Sequence, residues 1–317
     1  MSKFKRLLFL GTSSGVPLPG KRNVSGMLIQ YDCGRAILVD CGEATQHQLM
    51  MSDVRLNRLS CILITHLHGD HCYGLFGLLH SLNMSGRAER ISLFGPTGIK
   101  ELIQTVFRLT GGWYGFDIDI HEISGGVQSF NVSLGIDSVI TVTACPMVHR
   151  LPCYGYVLSE QQSLPKIDAA RARKLGAEGA QLGILKSGVS VNVRLDCGTY
   201  RVIEPSDVCV PATPARCIGI MQDTSDASEA YAFLKNCAIL VHEATYEAAH
   251  HAKAIQFGHS TTAMAAEAAR ISGAARLVLT HFSAKYNDSD LERLRSEAAE
   301  TSGCPVDYAK DFSQFTL

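Results

Sequence analysis

The order of apolar and polar positions resolves the chain into short elements of two periods. Apolar runs bounded by turn residues predict strands at 7–10, 25–31, 36–39 and 61–64, then at 91–94, 118–123, 139–144 and 154–158. Apolar residues three and four apart predict helices over 44–51, 72–82 and 98–109. The alternation returns later, with strands at 218–221, 238–241 and 276–279 and helices at 228–234, 261–271 and 288–301. Between these halves the pattern lapses over 160–190. There Leu164-Pro165 and a charged helix-like piece at 168–175 precede Gly176, Gly179, Gly183 and Gly188. That stretch reads as an arm inserted into a single domain spanning 1–317. Two similar strand-helix halves predict a layered α/β fold, with sheets inside and helices outside.

Composition narrows the class. At 46% hydrophobic and 19% charged, the 317 residues can bury a sizeable core, which excludes a mainly disordered or collagen-like chain. Lys and Arg (29) nearly cancel Asp and Glu (30), so a uniformly basic nucleic-acid binder is excluded and any RNA affinity must be local. No apolar run approaches the roughly 18 to 20 residues that span a bilayer, so no membrane partner is expected. The basic start Lys3-Phe4-Lys5-Arg6 precedes an apolar run too brief for a signal peptide. Eleven cysteines without a Cys-x-x-Cys pair predict reduced thiols in a cytosolic compartment, with nuclear and organellar addresses left open.

The chemistry concentrates in Thr65-His66-Leu67-His68-Gly69-Asp70-His71, directly after an apolar strand. Imidazole and carboxylate are zinc ligands, and two diverging ligand pairs on one loop suit two neighbouring ions. Four donors do not complete two sites. His149, Asp223 and His281 each follow an apolar run and are candidates for the rest, although a turn residue explains any one of them alone. Residues 11–15, Gly11-Thr12-Ser13-Ser14-Gly15, read equally as a phosphate cradle of backbone N–H groups or as a plain turn.

With these motifs on view, the chain resembles the metallo-β-lactamase superfamily through His66-Leu67-His68-Gly69-Asp70-His71. Across nearly its whole length it is similar to the short form of ribonuclease Z. The matching stretches include Phe9-Leu10-Gly11-Thr12, Asp40-Cys41-Gly42-Glu43, Asp223-Thr224, His242-Glu243-Ala244-Thr245, His259-Ser260-Thr261 and His281-Phe282-Ser283-Ala284-Lys285-Tyr286. The resemblance implies a four-layer αβ/βα sandwich of two mixed sheets. It implies His66, His68 and His149 on one Zn2+, Asp70, His71 and His281 on a second, and Asp223 bridging both, with Mn2+ or Fe suiting the same donors. It also implies hydrolysis of precursor tRNA at the 3′ trailer, leaving a 3′-hydroxyl and a 5′-phosphate. Asp70 would handle the water proton, His259 would act as general acid and Glu243 would orient it. Lys21, Arg22, Asn23, Lys186, Ser283 and Lys285 fall where such enzymes meet RNA, and the relatives are homodimers.

The pattern departs from the family at several positions. Ala44 and Gln222 stand where relatives carry glycine, and Lys285 where they often carry Arg. Ala177-Glu178-Gly179-Ala180-Gln181 replaces the expected prolines of the arm. Two other functions compete: a metal-dependent phosphodiesterase or lactonase acting on a small molecule, and a non-catalytic, metal-stabilised RNA-binding protein.

Overall fold

The computed structural model describes residues 2–135, 138–162, 166–195, 198–210 and 215–317; Leu164-Pro165 of the predicted arm lies outside them. The first residues form strand Phe4–Gly11, second from one edge of a seven-stranded sheet and paired on both sides. The order across that sheet is Gln314–Thr316, Phe4–Gly11, Gly26–Tyr31, Ala36–Val39, Leu59–Leu63, Ile91–Pro96 and Ile118–Ile123. The first four strands are mutually antiparallel and the last four mutually parallel. A second seven-stranded sheet runs Val306–Tyr308, Leu277–Thr280, Ile239–Glu243, Cys217–Met221, Cys153–Ser159, Val139–Met147 and Gln128–Ser133. It too joins a parallel half to an antiparallel half.

The two sheets face each other through an aliphatic and aromatic layer that includes Phe9, Ile29, Val39, Leu63, Val142, Tyr156, Ile220 and Val241. On the outer face of the first sheet, Leu8, Leu38, Ile62 and Leu93 pack against helices Leu75–Met84 and Ile99–Thr110. On the outer face of the second, Leu240 and Leu279 pack against helices Thr262–Ser272 and Asp288–Ala299. This is the expected four-layer sandwich. The inner strands of the parallel halves, such as Ala36–Val39 and Leu277–Thr280, are apolar on both faces because both faces are covered.

Several boundaries differ from the sequence pattern. The predicted helix over 72–82 is two helices, Gly69–Cys72 and Leu75–Met84. The helix over 228–234 is a single 3-10 turn, Ser228–Ala230, because the chain bends to seat Leu234 against Gly219.

Residues Gln161–Ala215 form a second compact unit, and the stretch 160–190 falls almost wholly inside it. It has its own small core of Ala172, Ala177, Leu185, Val191, Val193, Ile203 and Val208. Helix Ala169–Lys174 leaves Arg171, Arg173 and Lys174 exposed, and Lys186 is exposed at the end of helix Ala180–Lys186. In the main unit the residues flanking this insertion are tied together: buried Glu160 accepts from Arg216, Lys3 and the Phe4 N–H. Among the described residues no helix is long and apolar enough to cross a membrane.

Candidate functional site

Parallel strands end together, so the side chains just past their carboxyl ends converge at one edge of the sandwich. Asp40 follows Ala36–Val39, His66 and His68 follow Leu59–Leu63, and Asp70 and His71 lie in helix Gly69–Cys72. From the second sheet come His149 after Val139–Met147, Asp223 after Cys217–Met221, Glu243 ending Ile239–Glu243, and His281 after Leu277–Thr280. The edges are stitched together: Tyr156 Oη donates to the Ile64 carbonyl at 2.7 Å and the Tyr154 N–H to the Thr65 carbonyl at 3.0 Å. Gly42 lets the loop after Asp40 close on the histidine-rich loop, since a Cβ there would stand 2.2 Å from the Asp70 carbonyl oxygen.

The structure brings seven side chains into two donor sets. His66, His68, His149 and Asp223 form one and Asp70, His71 and His281 the other, while His259 also comes within donor distance of Asp223 and His281. His68 Nδ1 lies 2.9 Å from His66 Nε2 and 3.1 Å from His149 Nε2. His71 Nε2 and His281 Nε2 are 3.2 Å apart, and Asp70 Oδ2 is 3.6 and 3.5 Å from them. Asp223 divides its carboxylate: Oδ2 is 3.7 Å from His66 Nε2, while Oδ1 is 3.3 Å from His71 and 3.2 Å from His281. Ligands about 2.0–2.2 Å from a tetrahedral ion stand about 3.3 Å from one another, so these spacings suit the edges of a metal coordination shell.

The outer ring nitrogens fix what the inner ones offer. His149 Nδ1 donates to the Gly258 carbonyl at 2.7 Å and His71 Nδ1 to Asp40 Oδ2 at 2.7 Å. Thr65 and Thr245 give their hydroxyl protons to Asp40 and Glu243, which leaves their oxygens to accept from His66 Nδ1 and His281 Nδ1, both at 3.1 Å. Four imidazoles therefore turn bare Nε2 lone pairs toward one another, and Asp223 Oδ1 is buried without a hydrogen-bond partner. Lone pairs and carboxylates converging out of water are costly unless positive charge is held among them, so the residues fit a divalent metal.

Electrostatics divide the two sets: burial opposes charge on His71, yet Asp223, Asp40 and Asp70 raise its pKa well above the ordinary histidine value, a negative field that a bound cation would answer in place of the proton. Burial and the neighbouring imidazoles push His66 and His68 below the ordinary histidine pKa, and burial does the same for His149, which keeps these donors neutral. Burial opposes ionisation of Asp223 and Asp70, but the surrounding histidines hold both carboxyls well below the usual range. His259 lies beside the second set, its Nδ1 3.1 Å from Glu243 Oε1 and 3.8 Å from Asp223 Oδ2. Burial disfavours its charge, yet Glu243 and Asp223 raise its pKa to about 9.

The remaining sequence candidates take different places. Lys21 and Lys285 are exposed and Ser283 is half-buried. Arg22 is buried and donates to the carbonyls of Tyr286 and Ser283, and Asn23 Nδ2 donates to the Glu43 carbonyl, so both hold their loop together. The turn at 11–15 is likewise committed. The N–H groups of Thr12 and Ser13 go to the Asn23 carbonyl and that of Gly15 to Asp70 Oδ2 at 2.7 Å, so it tethers a donor rather than cradling a phosphate. Asp40, Thr65, Thr245 and the Gly258 carbonyl escaped the sequence reading. Asp40 alone left a signal, as a carboxylate directly after an apolar strand, like Asp223.

Known structures share this architecture. The chain superposes on the short form of human tRNase Z with TM-score 0.69 and 27% identity, covering 98% of this chain and 99% of that one. It superposes on the metallo-β-lactamase fold protein YhfI from Bacillus subtilis with TM-score 0.68 and 18% identity, covering 99% and 100%. Two mixed sheets between helices, with His/Asp donor sets at their carboxyl edge, define a metal-dependent hydrolase of the metallo-β-lactamase fold. A family model described as anti-Pycsar protein Apyc1 matches residues 5–114. Over 98% of its length the chain is 38% identical to ribonuclease BN of Cronobacter sakazakii, 99% of which is covered. The chain belongs to the ribonuclease BN family.

Proposed function

We propose that the chain is an endoribonuclease that removes the 3′ trailer from precursor tRNA, leaving a 3′-hydroxyl on the tRNA and a 5′-phosphate on the trailer. The observation that carries this reading is the His259–Glu243 pair set against two donor sets that share Asp223. His66, His68 and His149 would hold one Zn2+ and Asp70, His71 and His281 a second, with Asp223 serving both; Mn2+ or Fe would suit the same atoms. Ions held there supply Lewis-acid charge to the scissile phosphate and acidify water. Asp70, kept ionised by His71 and His281 against its burial, takes the proton of the attacking water. His259 is charged at neutral pH and keeps Nδ1 on Glu243, so Nε2 delivers a proton to the departing 3′-oxygen. The oxygen–phosphorus bond to water forms as the P–O3′ bond breaks, and the proton from His259 ends on that 3′-oxygen.

RNA affinity comes from local cations because the net charge of -1 supplies none. Lys21 and Lys285, with Ser283, meet the strand near the cut, while Arg171, Arg173, Lys174 and Lys186 in the 161–215 unit meet the tRNA body. The working assembly is a homodimer in a cytosolic compartment. Purified protein given trailer-bearing tRNA and, separately, a small phosphodiester tests the assignment. Trimmed tRNA with a free 3′-hydroxyl is expected. Turnover of the small ester alone would make it a small-molecule phosphodiesterase, and RNA retention without cutting would make it a binding protein.

A further inference from the structure

The Tyr246 ring stands beside His259, and the ammonium groups of Lys253 and Lys285 lie near that ring. Tyr246 follows Glu243 by three residues, and its backbone is pinned from both sides. Its N–H donates to the Ser260 carbonyl at 3.2 Å, and its carbonyl accepts from the Thr262 N–H at 3.0 Å. The half-buried ring is thereby fixed edge-on to the His259 imidazole, with centroids 6.2 Å apart. Lys253 Nζ lies 5.4 Å and Lys285 Nζ 5.7 Å from the Tyr246 ring centre, and Lys285 Nζ also lies 4.5 Å from the Tyr286 ring centre. Neither lysine forms an ion pair among the described residues, and the nearby Glu247 carboxylate is taken by Arg293 and His250.

A cation–π contact worth about 0.5–1 kcal/mol at an exposed site does not neutralise either ammonium group. An anion between them would. A π-face flanked by cations matches a nucleotide, whose base stacks while its phosphate pairs with the charges. Among the site histidines described, Tyr246 meets only His259, the group that protonates the leaving oxygen. The nucleotide seated there is therefore the one that carries that oxygen.

Resting on the tRNA-processing reading, we propose that Tyr246 is the stacking platform for the base immediately 5′ of the cut, and that Lys253 and Lys285 hold the phosphate on that nucleotide's 5′ side. Tyr246 acts here as a specificity residue, independent of the metal donors.

The test uses the full chain and a precursor RNA whose scissile linkage is an uncleavable methylphosphonate, with 2-aminopurine as the base just 5′ of it. Binding should quench the probe in the parent and in Tyr246→Phe. Tyr246→Leu should leave the probe bright at saturating protein and weaken binding about tenfold. Lys253→Ala should keep the quench and flatten the slope of log affinity against log salt by about 0.7. Equal quenching by Tyr246→Leu and the parent would overturn the platform, as would parent binding that leaves the probe bright. A parent chain that binds no precursor RNA would remove the tRNA reading itself, and this inference with it.

Discussion

Glu243→Gln isolates what keeps His259 protonated. Glu243 is fully buried; its Oε1 accepts from the Thr224 N–H at 2.7 Å and faces His259 Nδ1, while Oε2 accepts from the Thr245 hydroxyl at 2.6 Å. Burial alone would depress the imidazole, but the carboxylate, helped by Asp223, raises it to about 9. A carboxamide keeps the shape and removes the charge. Return of His259 to its ordinary value near 6.5 is a change of roughly 3 kcal/mol in favour of the neutral ring. At pH 7.5 nearly every parent imidazole carries its proton, whereas a group at its ordinary pKa is only about one-tenth charged. Protonation alone then costs about tenfold in rate.

The direction with pH is the sharper signature. A general acid must be protonated, so activity falls as pH rises through its pKa. The alkaline limb of Glu243→Gln should therefore move to lower pH, and the variant should approach the parent near pH 6. Single-turnover cleavage of trailer-bearing tRNA from pH 5.5 to 9.5, with metal content checked in each sample, measures both effects. His259→Ala should lose about 10²–10⁴-fold and show no such limb. A Glu243→Gln deficit of the same size at every pH would refute the coupling and leave Glu243 only a scaffold for Thr224 and Thr245.

Four further perturbations probe the surroundings. Asp40→Asn must turn an amide N–H2 toward either His71 or Thr65, and should weaken metal binding about 10–100-fold in competition with a chromogenic chelator; unchanged affinity would count against the orienting role. His68→Ala removes the nitrogen shared between His66 and His149, and elemental analysis should find less metal per chain together with lost activity; two full equivalents would contradict the donor set. Ala44 holds φ 60, so Ala44→Gly should add up to about 1 kcal/mol of stability in urea unfolding, and a loss would show that the methyl group matters more than the backbone. Burial opposes ionisation of Glu160, but Arg216, Lys3 and the Phe4 N–H hold its pKa below the ordinary 4.5. Its contribution is therefore present above pH 4.5 and lost as pH falls through the lowered value. Glu160→Gln should cost about 2 kcal/mol at pH 7 and little under strongly acid conditions, and a deficit independent of pH would rule out the charge as its source.

The donor positions were legible because the fold reduces them to a one-dimensional pattern. A polar residue at the carboxyl end of an apolar run is carried to the open edge whenever that run is a parallel strand, as with His66, Asp223 and His281. Asp40 obeys the same pattern but stands alone in sequence, and its purpose emerges only where Ala36–Val39 lies beside Leu59–Leu63 and brings Thr65 and His71 to it. Edge strands hid for the opposite reason. Gln128–Ser133 and Gln314–Thr316 are short and half polar, and pairing to Val139–Met147 and Phe4–Gly11 makes them strands. Arg22 shows the limit of residue type as a guide: a cation in a Gly/Pro-rich loop suggests RNA, yet buried carbonyls claim it.

Backbone strain is the part of the site that composition conceals. Asp40, Ala44, Asp223 and His281 all have positive φ (58, 60, 27 and 59°), and all lie in or beside the donor sets. Each costs of order 1–3 kcal/mol for a residue with a side chain, so the surrounding hydrogen bonds must over-determine these conformations. At Asp40 and His281 they do so through the hydroxyls of Thr65 and Thr245, part of an outer layer that also includes the Gly258 carbonyl against His149 and the Gly15 N–H against Asp70. A strand end supplies the donor type, and this outer layer supplies its tautomer and its aim. The first can be read from a run of apolar residues followed by His or Asp. The second depends on contacts such as Gly258 with His149, 109 positions apart in the chain, which no local pattern records.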